Sequence, residues 1–242
     1  MSPVLEVEHL GVRYGDTDAL HDVSFAVEPG ELIGVIGPNG AGKSTMFKAI
    51  CGLVNHSGNV EVNGVHCHDR TDRMDLAYIP QRNDSDLNFP ITVGELVLAG
   101  RRRFHTWWRR PAAFDRVVAH EALAKVLLDG AEFQSLTELS GGQLQRAYLA
   151  RALAQQASVV LLDESLSGVD EPTTAELFEV FTTLAAEGTT VLVATHDLAL
   201  ARRRFSRLLA VNGTLRGDGT PKHVLSAEIL DTTFGSLRAL PH

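Results

Sequence analysis

A chain of 242 residues, 44% of them hydrophobic, has enough apolar side chain for one domain-sized core, which excludes intrinsic disorder. A formal net charge of −8 argues against a general nucleic-acid binder, and two cysteines, Cys51 and Cys67, exclude a disulfide framework and fit a reducing compartment. The first residues lack a basic stretch followed by an apolar one, so no export signal is expected; apolar runs such as 159–162 are too short to span a bilayer, so any membrane task needs another chain.

Short β-rich runs at 4–9 and 23–27 open the chain. Residues 32–36 read as a buried strand, followed by a glycine-rich loop and a helix from Met46; 59–62 and 76–79 read as further strands. From Asn83 to about Gln156 the pattern turns helical, with helices at 92–100, 114–128 and 141–155. A buried strand returns at 159–162, then a helix at 173–187 and strands at 190–194 and 207–211. This alternation predicts a parallel sheet covered on both faces, with the central helices inserted into the same domain.

Gly37, Pro38, Asn39, Gly40, Ala41, Gly42, Lys43 and Ser44 fit G-x-x-x-x-G-K-S/T between a strand and a helix, with Thr45 next in the chain. Such glycines let backbone amides turn inward around phosphate oxygens, Lys43 reaches the β- and γ-phosphates, Ser44 is placed to ligate Mg²⁺, and the helix start favours anions. The strand 159–162 ends in Asp163 and Glu164, and carboxylates at a buried strand tip are costly unless they meet a cation or do chemistry. Asp163 suits the Mg²⁺ shell and Glu164 the base that polarises the attacking water. His196 follows another apolar strand, at the sheet edge where ligands bind, and can touch the γ-phosphate and steady Glu164.

Together these residues resemble the ATP-binding subunit of ATP-binding-cassette (ABC) transporters, from about Leu5 to Phe234. The resemblance implies that Tyr14 stacks on adenine, and that Gln81 senses Mg²⁺ and the γ-phosphate and moves with a membrane partner. Leu139, Ser140, Gly141, Gly142 and Gln143 match the signature that contacts ATP held by the other copy; Ser167, Gly168, Val169 and Asp170 match the loop crossing the dimer seam. His196 matches the switch histidine, and Ser165 departs from the family's usual proline after the glutamate. The implied fold is an α/β P-loop ATPase: core and antiparallel β subdomain at about 1–82 and 157–220, helical signature subdomain at 83–156, and a tail at 221–242. The implied assembly is a head-to-tail homodimer holding two ATP with Mg²⁺, peripheral on the cytoplasmic face of the membrane. Its partners are permease subunits and, indirectly, an extracytoplasmic solute-binding protein; nucleic acid is not expected.

Tyr78, Ile79, Pro80, Gln81 and Arg82, then 88–93 (Asn-Phe-Pro-Ile-Thr-Val), resemble the manganese, zinc and iron(II) importers, as does the tail at 224–235. Siderophore and haem importers have similar ATPases and remain open, and a soluble cassette ATPase acting on nucleic acid or ribosomes is the more distant alternative. Two features stand outside the motifs. His66, Cys67 and His68 read as a surface turn before a metal sensor, since adjacent residues converge poorly on one ion. The basic stretch 101–110 reads as a solvated surface or as a docking face for the permease.

Overall fold

The computed structural model describes residues 2–67, 75–81, 91–104, 111–164 and 170–235. His68, Arg82, the Phe-Pro pair at 89–90, Trp107, Ser165 and the 167–169 part of the seam loop lie outside the described residues.

Strands β1 (Leu5–Tyr14), β2 (Thr17–Val27), β4 (Ser57–Val62) and β5 (Val65–His66) form an antiparallel sheet in the order β2-β1-β4-β5. Strands β3 (Leu32–Ile36), β6 (Leu76–Ile79), β7 (Val159–Asp163), β8 (Thr190–Thr195), β9 (Arg207–Asn212) and β10 (Thr214–Gly219) form a second sheet, ordered β10-β9-β3-β8-β7-β6. Its pairings are parallel from β9 to β6, while β10 runs antiparallel at the edge as a hairpin partner of β9. Sequence periodicity missed β10, because Thr-Leu-Arg-Gly-Asp-Gly carries little apolar alternation. It also began β2 too late: residues 17–22 are mostly exposed, and cross-strand pairing rather than burial makes them a strand.

The second sheet is buried on both faces, and its side chains divide by pleat. Val159, Leu161, Leu192, Ala194 and Leu209 face a core shared with the antiparallel sheet and helix α1 (Lys43–Ile50). Val160, Leu162, Val191, Val193 and Leu208 face a core shared with α2 (Val93–Ala99), α3 (Ala113–Lys125), α4 (Gly141–Ala154) and α5 (Glu171–Ala186). Helices α6 (Leu198–Arg204), α7 (Pro221–Val224) and α8 (Ala227–Phe234) complete the chain, and Val224 and Phe234 join this second core.

The predicted helix at 114–128 stops at Lys125, because Leu127 takes a left-handed backbone (φ 59°) and Gly130 (φ 78°) continues the turn. The turn is stitched to α2 by main-chain bonds: Val93 N–H donates to Gln134 O, Gly94 N–H to Glu132 O and Leu136 N–H to Ile91 O, at 2.9 to 3.2 Å. Thr92 caps α2 with a capping box completed by Glu95.

Arg101 corrects the reading of the basic stretch. It is 3% exposed; its Nε donates to Asp115 Oδ1 at 3.0 Å, and one terminal nitrogen donates to Ala154 O and Gln156 Oε1. It bolts α3 and α4 together, whereas Arg102 is exposed. His66 ends strand β5 rather than lying in a turn; it is exposed and meets Glu61 and Asn59, while Cys67, just past the strand, is buried.

Candidate active site

Parallel register brings the site together. Ile36 pairs with Thr195, Asp163 with Ala194 and Ile79 with Leu162, so the C-terminal ends of β3, β8, β7 and β6 are nearly level. Gly37, His196, Glu164 and Gln81 are therefore delivered to one edge of the sheet, the crevice where open α/β sheets hold ligands.

The loop from β3 into α1 is shaped by two glycines. A Cβ on Gly37 would lie 2.2 Å from the Val211 carbonyl oxygen, and Gly42, the residue before α1, has φ 96° and would place a Cβ 2.6 Å from Leu20. Gly213 N–H donates to Ala41 O, tying the loop to the β9–β10 turn. No acidic residue occupies the first turn of α1, so its positive end is left uncompensated and favours an anion.

Around this loop lies a cavity of about 340 Å³ lined by Ala19, Asn39, Gly40, Ala41, Gly42, Lys43, Ser44, Thr45, Gln81 and Glu164. The Lys43 ammonium is held by the Gly37 and Pro38 carbonyls at 2.8 and 3.0 Å and lies 3.1 Å from Glu164 Oε1. Gln81 Nε2 donates to Glu164 Oε2 at 3.4 Å, and His196 Nδ1 lies 3.9 Å from that oxygen. Glu164 itself has a left-handed backbone, φ 43°, a conformation that recurs at functional strand ends. A larger open trough of about 600 Å³ lies elsewhere, beside His9, His21 and His56 on the antiparallel sheet, and lacks both the phosphate-type loop and a lysine–carboxylate pair.

Asp163 is 1% exposed and both its oxygens are held: Ser44 Oγ donates to one at 2.9 Å and the Tyr78 hydroxyl to the other at 2.9 Å. Burial and the adjacent Asp163 charge push the Tyr78 phenol well above its ordinary value, so it stays a donor. Sequence reasoning missed Tyr78. The available signal was a phenol in the otherwise apolar strand Leu76–Ile79, where a buried hydroxyl needs a partner.

The remaining predicted residues gather in a second place. Ser140 caps α4: its Oγ accepts from Gln143 N–H, and Gln143 Oε1 accepts from Ser140 N–H. Asp170 caps α5, accepting from Thr173 N–H and Thr173 Oγ1 at 2.9 Å, bonds that lower its pKa. A Cβ on Gly142 would lie 2.5 Å from the Thr173 methyl, so the starts of α4 and α5 touch. Ser140, Gly141, Gly142, Gln143 and Asp170 do not line the 340 Å³ cavity of their own chain, nor does Tyr14, half exposed at the end of β1.

Comparison with known proteins agrees with this geometry. The sequence profile described as "ABC transporter" matches residues 20–167. The chain is 37% identical to the manganese transport system ATP-binding protein MntB of Halalkalibacterium halodurans, covering 97% of this chain and 93% of that protein. It is 37% identical to the zinc transport system ATP-binding protein TroB of Treponema pallidum, covering 96% and 86%. Among solved structures, an inward-facing ABC transporter of metal-chelate type superposes with a TM-score of 0.83 at 28% identity, over 96% of this chain and 89% of that one. Phosphate-type loop, level strand ends and full-length similarity converge: the chain belongs to the ABC transporter family, as an ATP-binding subunit whose ATPase activity is coupled to transport.

Proposed function

We propose that this chain energises uptake of a transition-metal ion, manganese first and zinc or iron next, through a separate permease. The observation that carries the cargo class is its similarity, over nearly its whole length, to manganese and zinc transport ATP-binding proteins.

In this reading the loop from Gly37 to Thr45 holds the ATP phosphates, with Lys43 on the β- and γ-phosphates and Tyr14 against adenine. Glu164 draws a proton from the attacking water, while Gln81 and His196, both directed at Glu164, hold that water and the carboxylate in line. Ser44, Asp163 and Gln81 offer oxygen donors, the class a hard cation takes, and the Ser44–Asp163 contact shows two of them already converging; the residues fit Mg²⁺. Bound Mg²⁺ supplies neutralisation of phosphate charge. Tyr78 and Ser44 keep the Asp163 carboxylate oriented.

Ser140, Gly141, Gly142 and Gln143 stand apart from their own chain's cavity, which supports their use on the nucleotide of a second copy in a head-to-tail homodimer, with Asp170 at the seam. Phe114, Val117, Leu127 and Phe133 are exposed apolar side chains of the helical layer, Phe133 at 92%, and supply a surface for permease helices. Among the described residues no helix is long and apolar enough to cross a membrane, so that span falls to the permease; the chain would then work from the cytoplasmic face beneath it, with the solute-binding protein acting on the far side. A second reading, an iron–siderophore or haem importer, is favoured by the match to the metal-chelate transporter structure.

The test is elemental mass analysis of cells in metal-limited medium, comparing a Lys43→Ala strain with its parent. A selective fall in manganese, zinc or iron is expected and names the cargo. Unchanged content of all of them, with ATPase activity lost, overturns the metal-uptake reading and moves the cargo to another solute, while a fall in iron that free iron(II) does not restore supports the chelate.

A further inference from the structure

We propose that His120, Asp129 and Glu132 form a site for one first-row divalent transition-metal ion on the helical layer. One donor atom from each residue lies within 4.8 Å of the others, and among the described residues this is the one such group of three. His120 projects from α3; Asp129 and Glu132 stand on the turn that follows it. His120 Nδ1 lies 2.8 Å from Glu132 Oε1, and Nε2 lies 3.8 Å from Asp129 Oδ1. Two donors each about 2.1 Å from a common ion stand roughly 3.0–3.4 Å apart, so the histidine–glutamate edge needs little adjustment. One ion takes one ring nitrogen, so with Nδ1 as the ligand Asp129, which lies on the Nε2 side and is 70% exposed, has to rotate toward the Nδ1–Glu132 edge.

Three further observations point the same way. The turn is held by its own chain: Leu128 and Ala131 are buried, Leu128 N–H donates to Leu123 O, Gln134 N–H to Ala131 O, and Gly94 N–H to Glu132 O. The carboxylates have no competing cation, because among the described residues no lysine or arginine pairs with either, and Lys125 pairs with Glu187. The donor set is selective: imidazole with two carboxylates suits zinc, manganese or cobalt, whereas Mg²⁺ and Ca²⁺ take oxygen alone. Among the described residues, the pair His9–Asp22 offers a histidine and one carboxylate and belongs to no such group of three.

Binding is an exchange without redox change. The ion takes the place of the proton between His120 and Glu132, which leaves to solvent. It would fix the turn that carries exposed Leu127 and Phe133, two of the side chains proposed to meet the permease. Exposure of the site to arriving cargo rests on the import reading; the site itself does not.

The experiment titrates the purified, metal-stripped full chain, without nucleotide, with Co²⁺ and then Zn²⁺. It follows the visible absorption of Co²⁺ and amide hydrogen exchange across residues 127–134. The wild type is expected to bind one ion that His120→Ala and Glu132→Gln bind more than about 100-fold more weakly, above the loss expected for an outer partner alone. Zn²⁺ is expected to slow exchange in the turn of the wild type only. Glu132→Gln preserves shape and an acceptor for His120, so it serves even if His120→Ala folds poorly, and circular dichroism checks both. Equal affinity in all three proteins, or unchanged exchange in the turn, overturns the site and leaves a surface ion pair. The cellular metal assay is independent, so loss of the import reading leaves this result standing.

Discussion

Asp163 shows how a candidate catalytic centre is ordered in part by a group outside its cavity, Tyr78. Its two oxygens are occupied by Ser44 and Tyr78, so the carboxylate has one orientation. Tyr78→Phe removes one of these bonds while keeping the ring in place. The Mg²⁺ requirement of ATP hydrolysis is expected to rise about 10- to 100-fold, read from activity against Mg²⁺ concentration; a purely structural phenol would alter the unfolding midpoint and leave that curve alone. Glu164→Gln keeps the contacts of a side chain of the same shape but removes the proton acceptor. ATP binding is expected to persist while turnover falls roughly 10²–10⁴-fold, and a variant turning over at the normal rate would sink the assignment of the base. The charged members of this candidate site could be placed at one sheet edge because a phosphate-type loop, an acid pair and a histidine each stand at the end of an apolar strand. Tyr78 was harder, since one hydroxyl within a strand looks like ordinary core until its partner, 85 residues away, is known.

At the scale of elements, the buried pair Arg101–Asp115 holds the helical layer in shape. Asp115 accepts from Arg101 with one oxygen and from Ala112 N–H with the other, so a single carboxylate both starts α3 and anchors the arginine. Asp115→Ala would remove the carboxylate that meets a guanidinium 3% exposed and the acceptor that starts α3, which is expected to cost about 3–5 kcal/mol of stability, read from denaturant midpoints. A loss below about 1 kcal/mol would place the pair in the class of solvated surface bridges. Charge composition could not reveal this, because Arg101 opens a run of three arginines and nothing in the run marks which one turns inward. Strands β3 and β6 were legible to the residue, being apolar and buried. Edge strand β10 and the outer half of β2 were not, because their pairing owes little to burial.

Across the whole molecule, the residues proposed to face nucleotide form two groups, the second outside the cavity that the first lines. If each group serves the other copy's nucleotide, Lys43→Ala and Gly142→Asp chains should each be inactive alone. Mixing them yields dimers in which one site has both lesions and the other has none, so ATPase activity should return on mixing; continued silence would count against the shared site. The main-chain bonds between 91–94 and 132–136 bear on how such a machine can diverge. They join the segment beyond Gln81 to the approach to Ser140 through amides and carbonyls alone. Exposed side chains on both segments can therefore drift to suit different permeases while the linkage survives, whereas Val93 and Leu136 stay buried. Proline at an amide donor severs it, and any side chain at Gly94 crowds it, since a Cβ there would lie 2.9 Å from the Glu132 carbonyl oxygen, so selection should act against both.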